Sequence, residues 1–220
     1  MPVAFSVGAE HGRIDVKAPR LGAHWLHRGA SDVYSANYTG SIGLGGTEHR
    51  DSLPDTRFHT SLLAAQWLHE FAPHDGALYL RGEWQNADQA LLSLERFSIG
   101  GLDSVRGYRR VAVLSDNGWS ASIEYRLPIA GVVRPAGAIA SLIGGLTLVA
   151  FVDAGRGWNV QDPTDHPHTL LAAGPGLRWD AAYDLHAELY WGALRRHLPD
   201  AGGDIQDQGI HFVLSSRRGF

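Results

Sequence analysis

The chain has 220 residues, enough for one domain with a sizeable core or for part of a larger one. Hydrophobic residues make up 44%, with 27 Gly and 7 each of Trp and Tyr, a mixture that disfavours a helical bundle and suits glycine-punctuated strands with aromatic girdles. A formal net charge of −4, spread without runs, argues against a nucleic-acid surface, and zero Cys fits an oxidising periplasm as well as the cytosol.

The opening, Met1 to Phe5, has no basic region and no apolar stretch of signal-peptide length. Val3 to Val16 reads as a candidate strand, with Val3, Phe5, Val7 and Ala9 on one face, broken at His11-Gly12-Arg13. Pro19 to Ser31 reads as a loop with a lone Trp25. Tyr34 to Leu44 then alternates, with Tyr34, Ala36, Tyr38, Ile42 and Leu44 opposite Ser35, Asn37, Thr39 and Ser41, greasy outside and polar inside. Phe58 to Phe71 fits a helical period as well, but the short turn Ala72 to Gly76 and the alternating Leu78 to Trp84 favour a strand. A helix-like stretch, Asp88 to Leu94, blurs the end of that segment.

Further on, Ser120 to Ile129, Leu146 to Ala154, Leu170 to Trp179, Leu185 to Trp191 and Ile210 to Phe220 all alternate apolar with polar or small residues. The uncharged run Pro135 to Val152 approaches membrane-helix length, yet its glycines and alternating last part favour a strand. Short connections (Ala72 to Gly76, Asp180 to Asp184) tend to alternate with long polar ones (Gly45 to Thr56, Arg156 to His168, Arg195 to Gln208). That rhythm belongs to all-β transmembrane antiparallel barrels. The connections Pro19 to Ser31 and Ala130 to Gly145 are too long for it. About eight to nine strands can be counted, whereas closed bacterial barrels use even numbers.

Between two of these strands lies Phe97-Ser-Ile-Gly-Gly-Leu-Asp-Ser-Val-Arg-Gly-Tyr108. Gly100 and Gly101 allow a sharp reversal, and Val105 and Gly107 flank a lone cation, Arg106, followed by Tyr108. A guanidinium fork at such a tip suits a carboxylate on another element. Asp153, in the middle of an alternating strand beside Phe151, is the nearest downstream candidate, so Arg106 and Asp153 form an expected latch. Glu124 faces the same side, and Tyr108 is placed to pack on the wall, although both also read as ordinary lining residues. A solvated loop cation is the plain alternative for Arg106.

The block Gly100 to Tyr108 resembles the signature of outer-membrane two-partner secretion transporters, the haemolysin-activator proteins, within the barrel-assembly superfamily. Glu124-Tyr-Arg-Leu-Pro128, Phe151-Val-Asp-Ala-Gly155 and a terminal Phe220 match in the same order. The resemblance implies the C-terminal half of a sixteen-stranded barrel over residues 1–220, with a lumen-inserted loop at about 97–118. It implies an outer-membrane location in a Gram-negative bacterium and ATP-independent export of one dedicated exoprotein. Outer-membrane lipid and the barrel-assembly machinery would be further partners, with Phe220 as the assembly signal. Signal peptide and periplasmic domains would then lie upstream of Met1. An assembly insertase of the same superfamily is the second reading, and a small closed barrel acting as an enzyme or adhesin the third.

No catalytic residues and no cofactor are expected. The hydrolase elbow, the phosphate loop and His-Glu-x-x-His do not occur, and Gly100-Gly101 lacks dinucleotide spacing. Of the 12 His, only His166-Pro167-His168, with Asp162 and Asp165 in the same loop, suggests a metal, and such loops rarely converge enough ligands.

Overall fold

A computed structural model describes residues 16–45, 56–72, 76–132, 145–161, 168–181, 185–194 and 208–216. Among these, strands β1 (Arg20–Arg28), β2 (Asp32–Ile42), β3 (His59–Glu70) and β4 (Ala77–Ala87) form consecutive antiparallel pairs. Two short strands follow, β5 (Phe97–Ile99) and β6 (Val113–Ser115), which pair only with each other. The long sheet resumes with β7 (Asn117–Pro128), a helical turn α1 (Ile129–Val132), β8 (Leu146–Trp158), β9 (His168–Ala181) and β10 (Leu185–Trp191). After β11 (Ala193–Leu194), which pairs with β9, the described sheet ends at β12 (Ile210–Ser216). β7 pairs directly with β4, so β5 and β6 are an excursion that leaves the wall and returns to it.

The alternation explains why this sheet is two-faced. Successive strand side chains point to opposite sides. Leu148, Val152, Ile123, Leu177, Leu189, Phe212 and Leu214 stand exposed on one side. Ser122, Glu124, Asp153 and His211 are buried on the other. An apolar outer face and a polar inner face identify the wall of a transmembrane barrel. Near the short-turn end the outer face carries a band of aromatic rings, with centroids 6.4 Å apart for Trp25–Tyr34, 6.1 Å for Tyr34–Trp67 and 6.2 Å for Phe71–Tyr125. The Asp32 carboxylate secures it, accepting from Trp67 Nε1 at 2.9 Å. No helix among the described residues is long and apolar enough to cross a membrane.

The main hydrophobic core lies on the inner side of the wall. Phe97, Ile99, Val105, Tyr108 and Val113 of the excursion pack on Leu170 and Ala172 of β9, with Leu62 and Leu194 at the margin. The loop thus buries its apolar residues against the inside of the sheet.

Two expectations are corrected. Pro19 to Ser31 is not a loop, because Arg20–Arg28 is strand β1, paired from Arg20↔Ser41 to Arg28↔Val33. Four of its nine residues are Arg or His, which hides a period of two that is visible only once β2 supplies the partner. The connection that was too long then shrinks to a tight turn, with the Gly29 N–H donating to Asp32 O at 2.7 Å. Asp88 to Leu94 contains no helix. The Asp88 N–H donates to His59 O at 3.2 Å, and Asp116 accepts the Leu91 N–H at 2.9 Å, so groups from elsewhere satisfy what a helix would satisfy internally. β8 also runs four residues past Ala154, to Trp158. Of the segments singled out in the sequence, residues 3–15, 46–55, 73–75, 133–144 (most of the uncharged run and of the connection Ala130 to Gly145), 162–167 with Asp162, Asp165, His166 and Pro167, 182–184, 195–207, and 217–220 with Phe220 lie outside the described residues.

Candidate functional site

Residues 100–112 form the tip between β5 and β6. Gly100 and Gly101 adopt φ of 116° and 93°, a left-handed region in which a Cβ is strained. The Ser104 hydroxyl accepts the Gly100 N–H at 2.7 Å, and Gly101 N–H donates to Tyr108 O at 3.1 Å, closing the tip on itself. Gly107, at φ 91°, touches the wall backbone-to-backbone: a Cβ there would lie 2.7 Å from Leu194 Cδ2 and 3.0 Å from Gly192 O. Gly192 interrupts the run of β10 into β11, and the tip seats at that break.

Seating carries Arg106 into a buried cluster. The Arg106 side chain is 3% exposed and Asp153 is 0% exposed. Arg106 Nε and Nη2 donate to Asp153 Oδ2 at 2.8 Å and Oδ1 at 2.9 Å, a bidentate fork, and the Arg106 backbone N–H adds a third bond to Oδ2 at 2.9 Å. Nη1 donates to Glu124 Oε2, and Nη2 also reaches Ser122 Oγ at 2.9 Å. The guanidinium carbon lies 3.9 Å from the Phe151 ring centroid and 4.9 Å from that of Tyr190, so two aromatic faces enclose the cation. Burial alone would pull the Arg106 pKa down, but the bonds and charges of Asp153 and Glu124 outweigh it and hold the pKa above its ordinary value. The group stays charged at every physiological pH.

Register explains the convergence. Ser122 pairs with Asp153 and Glu124 with Phe151, so the four residues occupy adjacent inward positions on β7 and β8. Tyr190 reaches them from β10. Glu124 is shared, because its Oε1 also accepts from Arg126 Nε at 2.6 Å. Tyr108 is buried in the apolar cluster with Val105, and its hydroxyl donates to Leu171 O at 3.3 Å.

Four residues of this assembly were not singled out from sequence, the first being Ser122, which accepts from Arg106 Nη2. Tyr190 closes the second face of the guanidinium. Arg81 on β4 donates through Nη2 to Leu102 O at 2.8 Å and to Ser104 O at 3.4 Å, clamping the tip's backbone. Asp116, fully buried at the root of the loop, accepts from Leu91 N–H at 2.9 Å and Val160 N–H at 3.0 Å and pairs with Arg96 Nε at 3.2 Å. Inward parity marks Arg81 and Tyr190, and Asp116-Asn117 at a strand entry is a turn signal, but nothing local reveals their partners. Among the described residues no group of three or more His, Cys, Asp or Glu is arranged to hold a metal ion.

The tip of the inward loop thus carries a buried Arg gripped by two wall carboxylates. The family model for the haemolysin secretion/activation proteins ShlB/FhaC/HecB matches residues 13–179. The chain belongs to this family. It is an outer-membrane β-barrel protein of the two-partner secretion family. Solved structures agree in fold. CdiB from Acinetobacter baumannii is 22% identical with a TM-score of 0.59, over 82% of this chain and 30% of that one. CdiB from Escherichia coli is 17% identical with a TM-score of 0.63, over 90% of this chain and 35% of that one. BamA from Haemophilus ducreyi lacking POTRA domains 1–3 is 15% identical with a TM-score of 0.63, over 90% of this chain and 42% of that one. The chain therefore spans less than half the length of each. No curated protein matches the chain in sequence.

Proposed function

We propose that residues 1–220 are the C-terminal part of a transporter barrel that passes a partner exoprotein across the outer membrane without ATP. In this reading the loop at about 97–118 is a plug whose position is set by the Arg106–Asp153 latch. The residues act as conduit wall and latch rather than as catalysts. Outer-membrane lipid faces the apolar side of the sheet, and the barrel-assembly machinery reads Phe220. The observation that carries the reading is the tip itself, since Arg106 reaches from the loop to both Asp153 on β8 and Glu124 on β7. An intact buried pair adds little net stability, but removing one partner costs about 3–5 kcal/mol, so its value is to hold one conformation.

The test is exoprotein export by the full-length transporter carrying Arg106→Ala, Asp153→Ala or both, at matched barrel levels. Each single change is expected to impair export, and the double change to cost little more than either alone, as one shared interaction requires. Additive losses, or normal export by Asp153→Ala, would remove the latch. Assembly of other barrels with no exoprotein exported would favour the insertase reading, which the likeness to BamA keeps second.

A further inference from the structure

The latch does not end at Glu124. Glu124 Oε1 lies 3.9 Å from Arg178 Nη1, an ion pair without a hydrogen bond. Arg178 Nη2 lies 3.1 Å from Glu188 Oε1, and the same oxygen lies 2.7 Å from His186 Nε2. His186 Nδ1 in turn lies 2.6 Å from Asp180 Oδ1. Charges therefore alternate without a gap from Arg106 down the inner wall to Asp180, beside the short connection between β9 and β10. That end of the wall carries the short turns, which face the periplasm in outer-membrane barrels. The register makes this possible, because Glu188↔Arg178 and His186↔Asp180 are directly paired positions of β10 and β9.

Two features distinguish the ladder from incidental lining charges. A polar cavity of about 220 Å³ under the tip is bordered by Arg178, Glu188, Glu124 and Arg126, so solvent has room beside its middle. Secondly, both ring nitrogens of His186 face carboxylate oxygens. A neutral imidazole has one donor only, so both bonds form together only when the ring carries two protons.

We propose that Arg178 and Glu188, with His186 at the periplasmic end, are positioning residues for the latch, holding Glu124 against Arg106 so that seating of the loop follows the protonation of His186. This deepens the transporter reading and rests on it. When His186 loses a proton, one of its nitrogens turns a lone pair toward a carboxylate. With the remaining proton on Nδ1, toward Asp180, Glu188 loses its donor, swings fully onto Arg178 and draws it away from Glu124, which is then braced by Arg126 alone, and the grip on Arg106 slackens. Seating is full at low pH and falls as pH rises through the His186 titration. The charged groups facing His186 among the described residues are Asp180 and Arg178 on β9 and Glu188 on its own strand. β12 presents Ser215 opposite it.

These 220 residues contain no Cys, so in a full-length transporter with any Cys elsewhere replaced by Ser, one introduced thiol can report seating. Ser104 is buried when the tip is seated, and Ser104→Cys is close to isosteric. Its labelling by a small maleimide is measured at pH about 5.5 and about 8, bracketing an ordinary His, with heat-modifiability as the folding check. The rate, corrected for the reagent's own pH dependence on a free thiol, should rise severalfold at the higher pH. His186→Gln should label fast at both values, and His186→Lys slowly at both. Arg178→Ala should match His186→Gln, and Arg178→Lys should restore protection. Arg106→Ala separates the two ideas. If it labels fast while His186→Gln and Arg178→Ala behave as the parent, the ladder is overturned and the latch survives. If Arg106→Ala leaves labelling unchanged, the latch falls and the ladder with it.

Discussion

At the scale of single residues, one guanidinium organises the inner wall. Arg106 makes five hydrogen bonds, three of them to Asp153 and one each to Glu124 and Ser122. One comes from its backbone N–H, which any residue retains, so the side-chain fork is the part that substitution removes. Arg106→Lys keeps the charge but not the planar fork, and it should unseat the tip nearly as much as Arg106→Ala. The readout is limited proteolysis of the loop in the full-length barrel, and protection equal to the parent would show that charge alone suffices. Gly107→Ala tests close approach rather than charge. Its φ of 91° and the nearby Leu194 and Gly192 leave no place for a methyl group, so the tip should withdraw although the Arg106 side chain is intact. A loss of about 2 kcal/mol or more in seating is expected. Wild-type protection in that variant would mean that the tip has slack.

At the scale of elements, the excursion is held at two ends by different chemistry. The tip is held by charge and by the apolar cluster, whereas the root is held by Asp116, which ties residues 91, 96 and 160 to the entry of β7. Gln85 Nε2 adds to the root, donating to Glu95 O at 3.0 Å and Asp116 O at 3.1 Å. Asp116→Ala would strand two backbone N–H groups, each costing about 1–3 kcal/mol if left buried and unpaired. Proteolysis should then begin in the segments around residues 91 and 160, with the strand register retained. Unchanged protection of both segments would demote Asp116 to an ordinary turn residue.

At the scale of the whole molecule, β1 and β12 each pair on one side only among the described residues, so the sheet has two open edges. In lipid an unpaired backbone group costs several kcal/mol, and nothing in a bilayer compensates it. The 220-residue chain on its own should therefore aggregate or require detergent, and it should form no stable pore. A conducting monomer of this chain in planar bilayers would overturn the idea that it completes its wall with further strands.

The sequence by itself determined the strands whose outer residues are apolar and whose inner residues are polar, since the pleat imposes that period wherever one side meets lipid and the other does not. It also singled out Arg106 and Asp153, because an isolated cation among glycines and an acid inside an apolar strand are each costly without a partner. Strand β1 was illegible, since its Arg and His residues erase the contrast on which periodicity depends. Parity along the strands already put Glu124 and Phe151 on the inner side with Asp153, but which side chains meet around the guanidinium is set by the pairing of the strands. Ser122, Glu124, Phe151 and Tyr190 converge because β7, β8 and β10 pair in one register, and a slip of one residue would turn each of them to the lipid side. The same holds for Asp116, whose donors lie 25 and 44 residues away along the chain. Local pattern encodes which face a side chain takes, but the partner it meets there depends on how distant strands align.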